Sequence, residues 1–218
     1  MSESRLRIDV SGDRNVQAIR TPVEGRRAGW TFVYAPGAGS NMHDPFGRFV
    51  CRALAERGVE CVRFQFPYAE EGKKRPDRAP VLEATWRAVL ERVREPGRKL
   101  CVGGRSMGGR IGSHVVAQGE AADAVALFSY PLHPPGNAGR MRDEHLPAIA
   151  VPVLFCSGTR DAFASADELQ ALAKRLPRAT LHLLDGADHG MNVPKASGRT
   201  RQDVWQEAFE AMVAWLKV

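Results

Sequence analysis

Three residues able to carry acyl-transfer chemistry stand in order along the chain. Ser106 lies in Gly104-Arg105-Ser106-Met107-Gly108. Asp161 closes Ser157-Gly158-Thr159-Arg160-Asp161, and His189 lies in Gly186-Ala187-Asp188-His189-Gly190. A serine hydroxyl is a poor nucleophile until a base within hydrogen-bond reach takes its proton. That base in turn needs a carboxylate to fix its tautomer and stabilise the imidazolium. Ser106 is therefore the candidate nucleophile, His189 the general base and Asp161 the orienting acid. Asp185 and Asp188 are rival acids, but residues so close in sequence to His189 seldom face its ring. His114 falls within a helical pattern and His182 within a strand pattern, so both are poorer bases.

The spacing around Ser106 has a steric reason. Gly104-x-Ser106-x-Gly108 matches the nucleophile-elbow pattern, in which the serine sits on a strained strand-to-helix turn. Side chains two residues either side would strike the strand or the helix, so both positions must be small. A plain tight turn fits the same five residues; the order of the partners downstream favours the elbow. The tetrahedral oxyanion needs two donors. The backbone N–H of Met107, next to the nucleophile, is one. The second is expected from Pro36-Gly37-Ala38-Gly39, with Ala38 preferred and Gly39 as the alternative.

These residues need a scaffold that places strand ends together. Leu6 to Val10 and Val16 to Ile19 alternate polar and apolar around Ser11-Gly12-Asp13, as an antiparallel edge pair does. Buried strands follow at Trp30 to Ala35, Glu60 to Phe66, Leu100 onward, Ala124 to Phe128, Val153 to Cys156 and Thr180 to Leu184. Helical spacing links them. Asp44-Pro45 opens one helix, Val81 to Val93 marks a second, and Ile111, Val115 and Val116 a third. Ser165-Ala166-Asp167-Glu168 is a capping box, and Val204 to Leu216 forms the last helix. Pro67 to Pro80 reads as a charged loop, and Tyr130 to Pro152 as a long connection with one helical turn near Glu144. Strands alternating with helices imply right-handed crossovers. The expected architecture is α/β: a mostly parallel sheet of about eight strands with helices on both faces. Asp161 and His189 each follow a strand, at the end where open α/β sheets gather their sites.

A chain of 218 residues, 44% hydrophobic, suits one domain spanning residues 1–218. The net charge of +6 is spread along the chain, and its one dense cluster, Lys73, Lys74, Arg75 and Arg78, reads as a solvated loop. No nucleic-acid signature accompanies it. The four cysteines have no C-x-x-C spacing, and three sit in apolar strand patterns, so no metal, redox dithiol or other cofactor is expected. The first residues lack an apolar signal region, and no apolar run is long enough to span a bilayer. A soluble cytoplasmic protein without nucleic-acid or membrane partners is expected, its oligomeric state open.

Two further groups bear on substrate. Arg105, Arg110 and Arg160 surround the candidate site; recognition of an acidic substrate and surface ion pairing explain them equally. Tyr130-Pro131-Leu132-His133-Pro134-Pro135-Gly136 follows the strand after the elbow, so Tyr130 and His133, with Gly39 and Arg105, are candidate substrate contacts. The connection to Pro152 is too short for a cap domain, which favours small, soluble substrates.

Taken together, Ala35 to Gly39, Gly104 to Gly108, Ser157 to Asp161 and Asp188 to Gly190 resemble the α/β-hydrolase superfamily over nearly the whole chain. The chain is most similar to its small, capless, dienelactone-hydrolase-like branch. Gly103-Gly104-Arg105-Ser106-Met107-Gly108-Gly109-Arg110 with Tyr130 to Gly136 resembles a group of bacterial predicted hydrolases. That group is related to an animal testis-expressed protein and to a subunit of a nuclear acetyltransferase complex. The resemblance implies a carboxylic-ester or thioester hydrolase acting through Ser106, Asp161 and His189. It departs from dienelactone hydrolases proper, whose nucleophile is cysteine. Because this group includes structural and regulatory proteins, a non-catalytic, partner-binding module on the same fold is the alternative.

Overall fold

A computed structural model describes residues 2–10, 13–23 and 25–218. Eight strands form one sheet: β1 Ser4–Val10, β2 Arg14–Thr21, β3 Trp30–Ala35, β4 Glu60–Phe64, β5 Lys99–Arg105, β6 Ala124–Phe128, β7 Val153–Gly158 and β8 Ala179–Leu184. The described residues also form six α-helices, five between strands and one after the last: α1 Pro45–Glu56, α2 Pro67–Glu70, α3 Ala79–Val93, α4 Met107–Ala117, α5 Ala166–Arg175 and α6 Arg201–Leu216. The strand order is β1-β2-β4-β3-β5-β6-β7-β8. β1 and β2 pair antiparallel, β2 runs antiparallel to β4, and every pairing from β4 to β8 is parallel. The turn between the first two strands includes Ser11 and Gly12, which lie outside the described residues.

The parallel strands are buried on both faces, as crossover helices require. Along β3, Phe32 and Tyr34 face the layer made by α1 and α6, while Val33 and Ala35 face α3, α4 and α5. The same alternation turns Cys61, Cys101 and Cys156 toward the layer of α1 and α6, where Cys51 of α1 also packs. All four cysteines are buried and unpaired. Helix starts follow the expected chemistry. The Asp44 carboxylate accepts from the Gly47 N–H at 2.9 Å ahead of Pro45. Ser165 with Glu168, and Thr200 with Asp203, close reciprocal capping boxes.

Two segments depart from the expectation. Pro67–Glu70 forms the short helix α2 inside the stretch that reads as a loop. A proline at its start and the Glu70 carboxylate, which accepts from the Gln17 backbone N–H of β2, hold it. Neither leaves a periodic signal, because four residues are too few to show one. The helical turn expected near Glu144 is a 3-10 turn at Leu146–Ala148.

The approach of α4 to β3 is tight. A Cβ on Gly108 would lie 2.4 Å from the carbonyl oxygens of both Ala35 and Pro36. Because both obstacles are backbone, Gly108→Ala is expected to cost about 3 kcal/mol or more. The check is a lowered urea-unfolding midpoint at unchanged slope.

Candidate active site

β5 delivers the chain to Ser106 and α4 leaves from it at Met107. Ser106 has φ 51° and ψ −123°, a backbone state that costs a non-glycine residue on the order of 1–3 kcal/mol. Its N–H donates to the Phe128 carbonyl of β6 at 2.8 Å, and its carbonyl accepts from the Arg110 N–H at 3.0 Å. Close packing holds the turn: a Cβ on Gly104 would lie 2.2 Å from the Ala35 oxygen. The strain sits where both neighbouring glycines allow β3 to press against the elbow.

The imidazole arrives from the loop after β8. His189 Nε2 lies 2.8 Å from Ser106 Oγ. Its Nδ1 lies 2.8 and 3.0 Å from the two carboxylate oxygens of Asp161. Two acceptors on Nδ1 place the proton there, leaving Nε2 free to accept the serine hydrogen. Asp161 is buried at the end of β7, its Oδ1 also taking the Phe163 N–H at 2.8 Å. The rival acids have other work. Asp188 Oδ1 accepts from the N–H groups of Gly190 and Asn192, each at 2.8 Å, and so shapes the loop that carries His189. Asp185 accepts from the Thr159 hydroxyl.

Phe163 is a residue that sequence reasoning missed. Its ring stacks on His189, with centroids 4.0 Å apart and planes at 27°. It is half-buried, two residues past Asp161, so one residue supplies an N–H to the acid and a wall to the base. The signal that would find it is an aromatic residue just beyond the orienting acid, outside any helical or strand period.

The donors for an oxyanion lie nearby. Met107 opens α4, so its N–H has no helical acceptor. Gly37 is buried, and a Cβ on it would sit 3.5 Å from Ser106 Cβ, which sets the loop after β3 beside the nucleophile. Ala38 is exposed, and its N–H has no backbone acceptor among the described residues. Gly39 has φ 74°, and its N–H too has no backbone acceptor among the described residues, so Ala38 and Gly39 both stay as candidate second donors.

The candidate substrate contacts are engaged with the scaffold. Arg105 reaches Asp44 at 3.5 Å across Gly37. Asp44 also accepts from the Tyr34 hydroxyl at 2.6 Å. Burial and the Asp44 charge push that phenol well above its ordinary range. Tyr130 is buried and donates to the Arg142 carbonyl at 2.6 Å. His133 is buried between the Pro134 carbonyl, 2.8 Å from Nδ1, and Glu168, 3.2 Å from Nε2. The contacts of Arg105, Tyr130 and His133 fix loops around the site. A second serine–histidine contact, Ser113 Oγ to His145 Nε2 at 2.8 Å, has a different character. Ser113 is fully buried within α4 and also bonds the Arg110 carbonyl, and no carboxylate of the described residues bonds His145.

The family model for the alpha/beta hydrolase domain matches residues 28–217. The chain belongs to this family. Solved structures agree on the fold. An alpha-beta serine hydrolase homologue from Coxiella burnetii aligns at a TM-score of 0.77 and 19% identity, over 97% of this chain and 98% of its own. A serine hydrolase without a lid from Xanthomonas campestris gives 0.78 and 20%, over 99% and 96%. The esterase domain of a Rhodothermus marinus protein gives 0.71 and 17%, over 99% and 98%. As in other alpha/beta hydrolases, the sheet is mostly parallel, with helices on both faces. Among the described residues, no helix is long and apolar enough to cross a membrane, and no cluster of three or more potential ligands could hold a metal.

A fluorophosphonate probe is expected to label Ser106 and to lose that labelling in His189→Ala, as peptide mapping would show. Removing the ring in Phe163→Ala costs one aromatic contact, so labelling should slow about three- to tenfold without a change in labelled residue.

Proposed function

We propose that this alpha/beta hydrolase cleaves small, soluble carboxylic esters or thioesters through an acyl-enzyme on Ser106. The observation that carries the reading is the continuous chain of contacts from Ser106 Oγ through His189 to the buried Asp161. Ser106 Oγ attacks the acyl carbon while its proton passes to His189 Nε2. The alkoxide that forms accepts from the N–H groups of Met107 and Ala38, since backbone donors fixed by the fold stabilise developing charge without reorganisation. Collapse breaks the bond to the leaving oxygen or sulfur, and His189 Nε2–H protonates it. Water then attacks the acyl-enzyme, giving its proton to His189. The second tetrahedral species expels Ser106 Oγ, which recovers that proton, and the acid leaves. Asp161 keeps its charge throughout and stabilises the imidazolium.

The short 130–152 connection leaves the site uncapped, which supports small substrates. The Gly103–Arg110 and Tyr130–Gly136 motifs support the capless, dienelactone-hydrolase-like branch and its bacterial group. Four unpaired, buried cysteines support a reducing, cytoplasmic setting.

A panel of p-nitrophenyl esters of increasing acyl length tests the assignment. Turnover should be highest for short chains. Ser106→Ala should abolish it at unchanged melting temperature, and Asp161→Asn should lower kcat by on the order of 10⁴ because the wrong tautomer is then favoured. Normal turnover by Ser106→Ala overturns the assignment.

A further inference from the structure

A cavity of about 410 Å³ opens beside α4, lined by Arg110 and His114 and by Arg140, Arg142, Glu144 and His145 of the connection after β6. Three guanidiniums thus face one lining carboxylate. None of the three arginines is in an ion pair among the described residues; Asp143, next along the chain, is taken by Arg175 at 2.7 Å. Arg110 is mostly sequestered. Its Nε is buried without a partner, and its Nη1 meets only the His114 ring, at 3.4 Å. Burial presses its pKa down; Tyr130 opposes that, Arg142 adds to it, and Glu83 of α3 is a weaker counterweight. Burial and then Arg140 lower that of Arg142. His114 and His145 stack at 3.8 Å; burial and then Arg110 lower the pKa of His114, and burial, His114 and Arg110 lower that of His145 to about 3.

Sequestering a charge without a partner is costly, and crowding like charges adds to the cost. The wall is nevertheless firmly built. The Arg142 N–H donates to the Leu132 carbonyl at 2.8 Å, while its own carbonyl takes the Tyr130 hydroxyl. A bound anion removes both costs, since one carboxylate or phosphate bridges several guanidinium forks. We propose that this cavity binds a carboxylate or phosphate group between Arg110 and Arg142, with Arg140 contributing from the rim. Arg110 is one turn of α4 from Ser106, roughly 6 Å along the axis, while none of Ser106, Asp161 and His189 lines the cavity; the anion is then either the acidic end of an ester held at Ser106 or a free ion. This link to turnover rests on the hydrolase reading above; the binding itself does not.

The test titrates inorganic phosphate and succinate into Ser106→Ala protein by calorimetry. Saturable one-to-one binding is expected. It should weaken about tenfold or more in Arg110→Gln and in the more exposed Arg140→Gln and Arg142→Gln, as loss of a charge-assisted hydrogen bond requires, and stay unchanged in Arg92→Gln. Turnover of an aryl hemisuccinate and an aryl acetate by the wild-type enzyme then separates the two sources. Phosphate raising KM for the hemisuccinate alone identifies the substrate's own acid group. Phosphate that binds but affects both esters alike identifies a free anion. Absence of saturable binding, or binding indifferent to all three arginine variants, overturns the pocket even if esters are cleaved. Binding without any ester turnover upholds the pocket and overturns the hydrolase reading instead.

Discussion

The site depends on one close approach, that of the β5–α4 turn to the end of β3. The carbonyl of Ala35 occupies the space that a Cβ on Gly104 or Gly108 would need. That contact holds Ser106 at a positive φ and lifts its hydroxyl off the sheet. It also brings the 36–39 loop beside Ser106, so the strain and the placement of that loop have one origin. Packing of β3 between β4 and β5, with Phe32 and Tyr34 on one face and Val33 and Ala35 on the other, supplies the rigidity that sustains the strained turn.

Around this turn, polar side chains act mostly on the scaffold. Arg105, Asp44 and Tyr34 join the elbow, the start of α1 and the body of β3 in one network. His133 and Tyr130 tie the proline-rich connection to α5 and to its own later segment. Asp188 shapes the histidine loop, and Phe163 covers the imidazole. Ser106, His189 and Asp161, on which the proposed chemistry rests, are therefore held by neighbours that take no step in it. The arginines at the α4 cavity are the exception, with no carboxylate bonded to them among the described residues.

Much of this was legible in the residues alone. The order Ser106, Asp161, His189 and the two small residues flanking the serine mark local requirements that the fold cannot relax, so they stand out in the linear chain. The same holds for Asp44-Pro45 and the Ser165–Glu168 box, whose partners lie within three residues. Helix α2 was not legible, because its support comes from Gln17 on another strand. Nor was the choice among Asp161, Asp185 and Asp188 decided by more than spacing until distances to His189 Nδ1 existed.

The sequence by itself determined the alternation of strands and helices, the glycine-flanked turn at Ser106, and the order of Ser106, the candidate acids and His189 along the chain. These follow from periodicity and from steric or bonding needs that span a few residues. Tertiary structure alone decided which polar residues face the cleft and which brace it. Tyr130 and His133 bond groups outside the cleft, and Arg110 and Arg142, more than thirty residues apart in sequence, line one cavity. Such pairings depend on where separate segments meet in space, and loop closure over that span leaves no trace in local pattern.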